Sequence, residues 1–407
     1  MMAMLLHMAA AAFPVQSAAA DAAAETSRWI VLQGSWGFVT TLDTADAKPA
    51  LLRAEVLSFG ESHGRLFFYI MGGFRDESAY PASITMSQAA LNHTTSCDQA
   101  GVDPEDPRCA KITFTGQVTL SSGADVATGK AALFAKHPQM EHWPASHGFQ
   151  VYELVLSDIW MIDFYGGGAN IAPKAYFAAT PKHNVPSWPP AVESQAAGTV
   201  EEEVSALEAV RSVPAAAATV SAPPPYGQVA KRARWLVYHS LWTSVGTISV
   251  HLNGKPWGNV RSVADGIGAN STGLPVLYLP TPDPTAVDIH ADAHATLSFS
   301  EAALADRVTP KGQLCGAKDP EDPTCARLHM VGVLKPLTSA AAQATAAATM
   351  CARHPKATWL CHGGAHTGGK WFTIEPSSLF FLDFYGGAAD LTIKDYLAAS
   401  PLAEDAK

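Results

Sequence analysis

The chain has 407 residues, of which 48% are hydrophobic and 16% charged. That balance excludes a disordered chain or a coiled coil and leaves room for two or three domains with real cores. The formal net charge is −10, and the longest basic cluster is Lys231-Arg232-Ala233-Arg234, which excludes a nucleic-acid partner, since phosphate binding rests on clustered Lys and Arg.

In chain order, the N-terminus comes first. It is apolar from Met1 to Phe13, then small up to Ser17-Ala18-Ala19-Ala20. An A-x-A-like site after Ala20 predicts a secretory signal peptide over residues 1–20. The other reading of this stretch, which lacks a basic leading region, is an Ala-rich tail. Beyond it no apolar run reaches the roughly 18 residues of a membrane span. Strands are expected at 37–42, 66–70, 82–86, 112–118 and 157–164, where β-branched and aromatic residues cluster. A helix is expected at 123–137, stopped by Pro138, because proline disfavours the α conformation in the residue before it. A second set repeats the pattern, with a strand at 245–250 and an Ala-rich helix at 339–354.

The repeat is explicit. Asp163-Phe164-Tyr165-Gly166-Gly167 recurs as Asp383-Phe384-Tyr385-Gly386-Gly387, and Asp103-Pro104-Glu105-Asp106-Pro107 as Asp319-Pro320-Glu321-Asp322-Pro323. Arg28-Trp29 matches Arg234-Trp235, Trp36 matches Trp242, His137-Pro138 matches His354-Pro355, and Tyr176 matches Tyr396. The ordered series defines two modules, 28–183 and 232–401. Residues 184–231 are rich in Pro and Ala and read as a semi-rigid linker, in which 201–211 has the composition of a short acidic helix. Each module reads as mainly β (α+β), an antiparallel barrel with helical additions.

These landmarks resemble the secreted CREG family, the cellular repressors of stimulated genes. The matching residues are Trp36-Gly37, the loop from Cys97 to Cys109, the run from His137-Pro138 through Met140, Trp143-Pro144, Ser146 and His147, then Ile159-Trp160, Asp163 and Gly166-Gly167. The second module keeps Pro256-Trp257, the Cys315 to Cys325 loop, His354-Pro355, Trp359, His366, Asp383 and Gly386-Gly387. It departs at Leu360-Cys361, where the first has Pro144. The resemblance implies two tandem split β-barrels of the FMN-binding, pyridoxamine-phosphate-oxidase-like type. It also implies an intramolecular pseudo-dimer in place of the usual pair of chains. It further implies a secreted or lumenal glycoprotein, of a lysosome- or vacuole-like compartment, that acts on an unidentified protein partner or receptor without enzyme activity. The rival is an FMN-dependent oxidoreductase with flavin between the barrels. Arg53 and its nearby counterpart Arg261 are the basic strand residues considered for a flavin phosphate, and the expectation is no flavin.

The six cysteines form three close pairs, Cys97 with Cys109, Cys315 with Cys325, and Cys351 with Cys361. In a secretory chain that pattern reads as disulfides. Cys351, Cys361, His362 and His366 could alternatively hold zinc, but their spacing is no known zinc pattern. Sequons stand at Asn92 and Asn270. Gly60-Glu61-Ser62-His63-Gly64 matches the serine-hydrolase pattern, yet lies between two strand-like segments and reads as a hairpin loop. His137 and His354 are of a type that serves in acid–base chemistry, but standing before proline at helix ends they are expected to cap them, and Asp163 and Asp383 are expected to bond turn amides. No catalytic constellation emerges, and a monomer with paired modules is expected.

Overall fold

The computed structural model describes residues 17–43, 51–71, 79–91, 97, 102–182, 220–304, 315, 318–361 and 368–402. Asn92, His362, His366 and the acidic segment 201–211 lie outside the described residues.

The first unit opens with helix α1 (Ser17–Gln33), followed by β1 (Trp36–Asp43), β2 (Leu51–Ser62), β3 (Arg65–Ile70), β4 (Ala79–Ser87) and β5 (Lys111–Leu120). Helix α2 (Ala124–Lys136), β6 (Gln150–Ile162), a short β7 (Ala169–Asn170) and α3 (Pro173–Ala178) complete it. The strands run antiparallel in the order β3-β2-β1-β4-β5-β6-β7, and β3 also pairs with β6. Six strands therefore close into a barrel. Its interior holds Val39, Phe59, Phe68, Ile84, Phe114 and Ile159, all at least nine-tenths buried. The β2–β3 connection is a two-residue turn, with His63 and Gly64 both at positive φ. Ser62 thus sits at a strand end with no helix behind it, as expected of a hairpin rather than a nucleophile elbow.

The second unit repeats the plan with α4 (Val229–His239), β8 (Trp242–Ser249), β9 (Lys255–Ser262), β10 (Val276–Leu279), α5 (Pro284–Ala291), β11 (His294–Ser300) and β12 (Arg327–Pro336). It ends with α6 (Ala340–Arg353), α7 (Thr358–Cys361), β13 (Lys370–Leu382) and α8 (Ile393–Ala398). Its strand order is β10-β13-β12-β11-β8-β9. With β8 taken as β1 and so on, this is the same circular order, opened between the equivalents of β2 and β3. The opening has a local cause. The tight turn of the first barrel is replaced by the longer segment 263–275, and only an Ala264–Val276 bridge joins the two edges.

Finer features repeat too. Register shifts mark a bulge at Thr115/Gly116 in β5 and at Val331/Gly332 in β12. A Cβ on either glycine would meet a carbonyl of the neighbouring strand, 2.0 Å away at Val155 and 2.2 Å at Glu375. Arg28 lies over the Tyr176 ring at 5.3 Å and Arg234 over the Tyr396 ring at 5.5 Å. The two matched sequence pairs are therefore one structural device, tying the opening helix of each unit to its closing helix. Among the described residues, no helix is long and apolar enough to cross a membrane.

Candidate functional site

The two barrels pack face to face through β1, β2, β4 and β5 on one side and β8, β9, β11 and β12 on the other. Trp36, Phe38 and Val56 join Trp242, Val260 and the Cys315–Cys325 pair in one buried cluster. Phe38 meets Trp242 edge-on at 5.7 Å, and Trp160 meets Trp257 at 5.5 Å. Around these aromatics the seam is built of small and hydroxylic residues. Thr113 Oγ1 donates to the Gly258 carbonyl at 2.6 Å, and Thr296 Oγ1 to the Leu52 carbonyl at 3.2 Å.

The repeated Asp-Pro-Glu-Asp-Pro loops cross this seam reciprocally. Each is first shaped by its own bonds. The Asp103 carboxylate accepts the Glu105 N–H at 3.0 Å, and Asp319 accepts the Glu321 N–H at 2.9 Å. A buried cation lies beneath each turn. Lys111 Nζ donates to the carbonyls of Glu105, Asp106 and Cys109, and Arg327 to those of Pro320 and Glu321. Thus held, the first loop reaches into the second barrel. Asp103 bonds His354 Nδ1 at 2.7 Å and accepts from Ser262 Oγ at 2.7 Å, while Glu105 accepts the Ser262 N–H at 2.7 Å. The second loop returns the contact: Asp319 bonds His137 Nδ1 and accepts from Ser58 Oγ, while Glu321 accepts the Ser58 N–H at 3.0 Å.

The histidines stand at the helix ends where the sequence put them, but their rings do not cap the helices. His137 Nε2 faces the Phe59 carbonyl at 3.2 Å and His354 Nε2 faces that of Val263 at 2.8 Å. A carbonyl only accepts, so Nε2 carries a proton, and Nδ1 turns to a carboxylate of the other barrel. Burial alone would raise Asp103 and Asp319. The facing histidines and the seam hydrogen bonds override it and hold both below the usual carboxylate value.

The two halves are not identical. Trp36 pairs with Ser58 and Trp242 with Ser262, so Ser58 and Ser262 are equivalent and Leu57 is the counterpart of Arg261. This corrects the sequence pairing of Arg261 with Arg53, which lies four positions earlier on β2. Arg261 is buried and bonds Glu105 at 3.0 Å, with Asp283 on its other side. Glu321 has Leu57 in that place. Burial pushes Glu105 up to about 7 against the pull of Arg261, and pushes Glu321, with Asp319 adding to it, up to about 8.

The other sequence candidates fall as follows. Cys97 and Cys109 have Cα atoms 5.4 Å apart, Cys315 and Cys325 4.1 Å, and Cys351 and Cys361 5.5 Å, each pair at sulfur–sulfur bonding distance. Among the described residues, no group of three or more His, Cys, Asp or Glu is placed to hold a metal ion. Asn270 is exposed in a short turn. Asp163 and Asp383 look inward rather than only to their turns, Asp163 to the Thr26 hydroxyl of α1 and Asp383 to Arg232 at 3.4 Å. The sequence singled out the Asp-Pro-Glu-Asp-Pro motif as a repeat but gave it no partner. Its recurrence 34 and 35 residues before a recurring His-Pro marks the repeat but names no partner across the chain.

Fold and seam together define a tandem paired-β-barrel protein whose two halves clasp each other through exchanged acidic loops. A family model described as "CREG, beta-barrel" matches residues 18–178 and 224–398, and the chain belongs to that family. Human Protein CREG1 is 31% identical over 168 residues, covering 39% of this chain and 74% of the relative. Mouse Protein CREG2 is 30% identical over 168 residues, covering 39% and 57%. Among solved structures, a heme binding protein from Mycobacterium smegmatis aligns at TM-score 0.32 and 19% identity, covering 39% of this chain and 61% of that one. Campylobacter jejuni ChuZ aligns at TM-score 0.33 and 11% identity, covering 42% and 62%.

Proposed function

We propose that the protein is a secreted or lumenal glycoprotein that acts through protein contacts and holds no flavin between its barrels. One observation carries this reading: the buried cations beneath and beside the exchanged loops are committed to the protein itself. Arg261 serves Glu105 and Asp283, and Lys111 serves three turn carbonyls. Arg327 serves two more, and Arg232 serves Glu301, Asp383 and the Pro224 carbonyl. A flavin phosphate needs several donors converging on it. Here such a group would have to displace buried carboxylates from their partners, so the residues do not fit it. Reciprocal loop exchange has instead spent this face on joining the barrels, leaving outer surfaces for partners. The exposed Asn270 sequon and the paired cysteines support passage through an oxidising, glycosylating compartment.

The test is flavin release. Protein purified from a secretory host is denatured and its supernatant read for flavin absorbance and fluorescence. The reading predicts a blank. Stoichiometric flavin would overturn it in favour of an FMN-dependent oxidoreductase.

A further inference from the structure

A cleft of about 510 Å³ opens at one end of the seam, between α2 and the returning acidic loop of the second barrel. Its walls include Lys136 and Trp143 from the first barrel and Lys318, Asp319 and Asp322 from the second. The carboxylates are already engaged. Asp319 bonds His137, Gln139 and Ser58, and Asp322 bonds the Thr324 backbone and hydroxyl and Tyr385. Lys136 is engaged less fully. Its Nζ donates to one acceptor, the Val31 carbonyl at 2.8 Å, and lies 4.7 Å from the centre of the Phe59 ring. An ammonium has three N–H donors, so most of its bonding capacity is left for the cleft. The pseudo-two-fold position holds Arg353, folded over the Tyr238 ring at 5.0 Å. The amine is therefore a feature of one half only.

We propose that this cleft captures small aromatic aldehydes bearing a carboxylate, as a Schiff base on Lys136 Nζ. The deprotonated amine adds to the carbonyl carbon to give a carbinolamine. The proton shed before attack goes to the carbinolamine hydroxyl, which the nitrogen lone pair expels as water, leaving the imine nitrogen positively charged with the one hydrogen it kept. No oxidant or reductant takes part. The protonated imine keeps one N–H, which the single Val31 carbonyl satisfies, and its positive charge stays over the Phe59 ring. Burial lowers the Lys136 amine to about 8, against the opposing pull of Glu61, so about a quarter of it is free amine at pH 7.5. Trp143, half-buried and stacked with Tyr69 at 6.1 Å, offers an aromatic face. Exposed Lys318, 3.7 Å from Asp322 and 3.3 Å from the Tyr385 hydroxyl, offers a cation at the mouth that a ligand carboxylate would share with them.

The test uses the full chain with 4-formylbenzoate and sodium cyanoborohydride at pH 7.5, followed by site-resolved mass spectrometry. Lys136 is expected to be reductively alkylated at least about tenfold faster than exposed Lys130, from its larger free-amine fraction. Lys136→Arg, which keeps the charge and the Val31 bond, abolishes the fast phase and leaves the slow lysines unchanged. Lys318→Gln slows the reaction of formylbenzoate about threefold without slowing uncharged benzaldehyde. Labelling of Lys136 no faster than that of Lys130, or equally fast labelling in the urea-unfolded chain, overturns the proposal.

Discussion

The asymmetry of the seam makes Glu321→Gln a sharp perturbation. Glu321 is buried against Ser58, lacks the arginine that Glu105 has, and is pushed from 4.5 to about 8 by burial and by Asp319. In the folded protein it keeps its proton across a range where the unfolded chain releases it. Its contribution to stability is therefore complete below about pH 4.5 and is lost as pH rises towards 8. Each pH unit in that window removes about 1.4 kcal/mol, and the whole displacement sets a ceiling on the order of 5 kcal/mol. Solvent relaxation around a buried carboxylate reduces this, and about 2 kcal/mol is expected at pH 8. Glutamine keeps an oxygen to accept the Ser58 N–H and has no proton to lose. Urea unfolding followed by tryptophan fluorescence at pH 5, 6, 7 and 8 should show variant and parent equal at pH 5, with the variant gaining as pH rises. Glu105→Gln should behave oppositely at pH 8, because it takes from buried Arg261 one of its two carboxylates. A stability difference for Glu321→Gln that is flat in pH, or a loss at pH 8, would refute the reasoning.

The remaining predictions concern the packing and the staples. Gly258→Val puts a Cβ 2.3 Å from Thr85 Oγ1 across the seam, so it should destabilise the protein by about 2–3 kcal/mol and expose the seam to limited proteolysis. Gly227→Val, whose Cβ meets nothing within 4 Å and whose backbone needs no positive φ, is the control. The six cysteines should resist alkylation until reduced, and the double variant Cys97→Ser/Cys109→Ser should cost about 3 kcal/mol by chain entropy, read by the same urea series.

Much of the architecture was legible in the primary structure because a tandem repeat states everything twice. The barrel strands, the helices ending at His-Pro and the equivalence of Arg28 with Arg234 all follow from local patterns. The opening helices α1 and α4 were missed for different reasons. Ala-rich α1 begins at Ser17, inside the stretch read as a signal peptide, yet packs Ala23 and Ala24 into the core. Residues 229–239 sat at the end of a segment whose Pro content masked their helical period. The error over Arg53 and Arg261 is one of register. Trp36 to Trp242 is an offset of 206, but Ser58 to Ser262 is 204, because the β8–β9 connection is two residues shorter than the β1–β2 connection. The exchange of acidic loops was illegible in principle. Periodicity and capping report neighbours along the chain, whereas Asp103 and His354 meet over 251 positions.

The central claim is that one chain forms its own dimer. Small-angle X-ray scattering of the purified full chain tests it directly, since forward scattering gives the mass and the radius of gyration gives the docking. For a paired body of this length the radius should be roughly 22–26 Å, the compact-chain value with an allowance for the linker, and the mass should be that of one chain. A mass near two chains, or a radius above about 30 Å with two separated maxima in the distance distribution, contradicts intramolecular pairing.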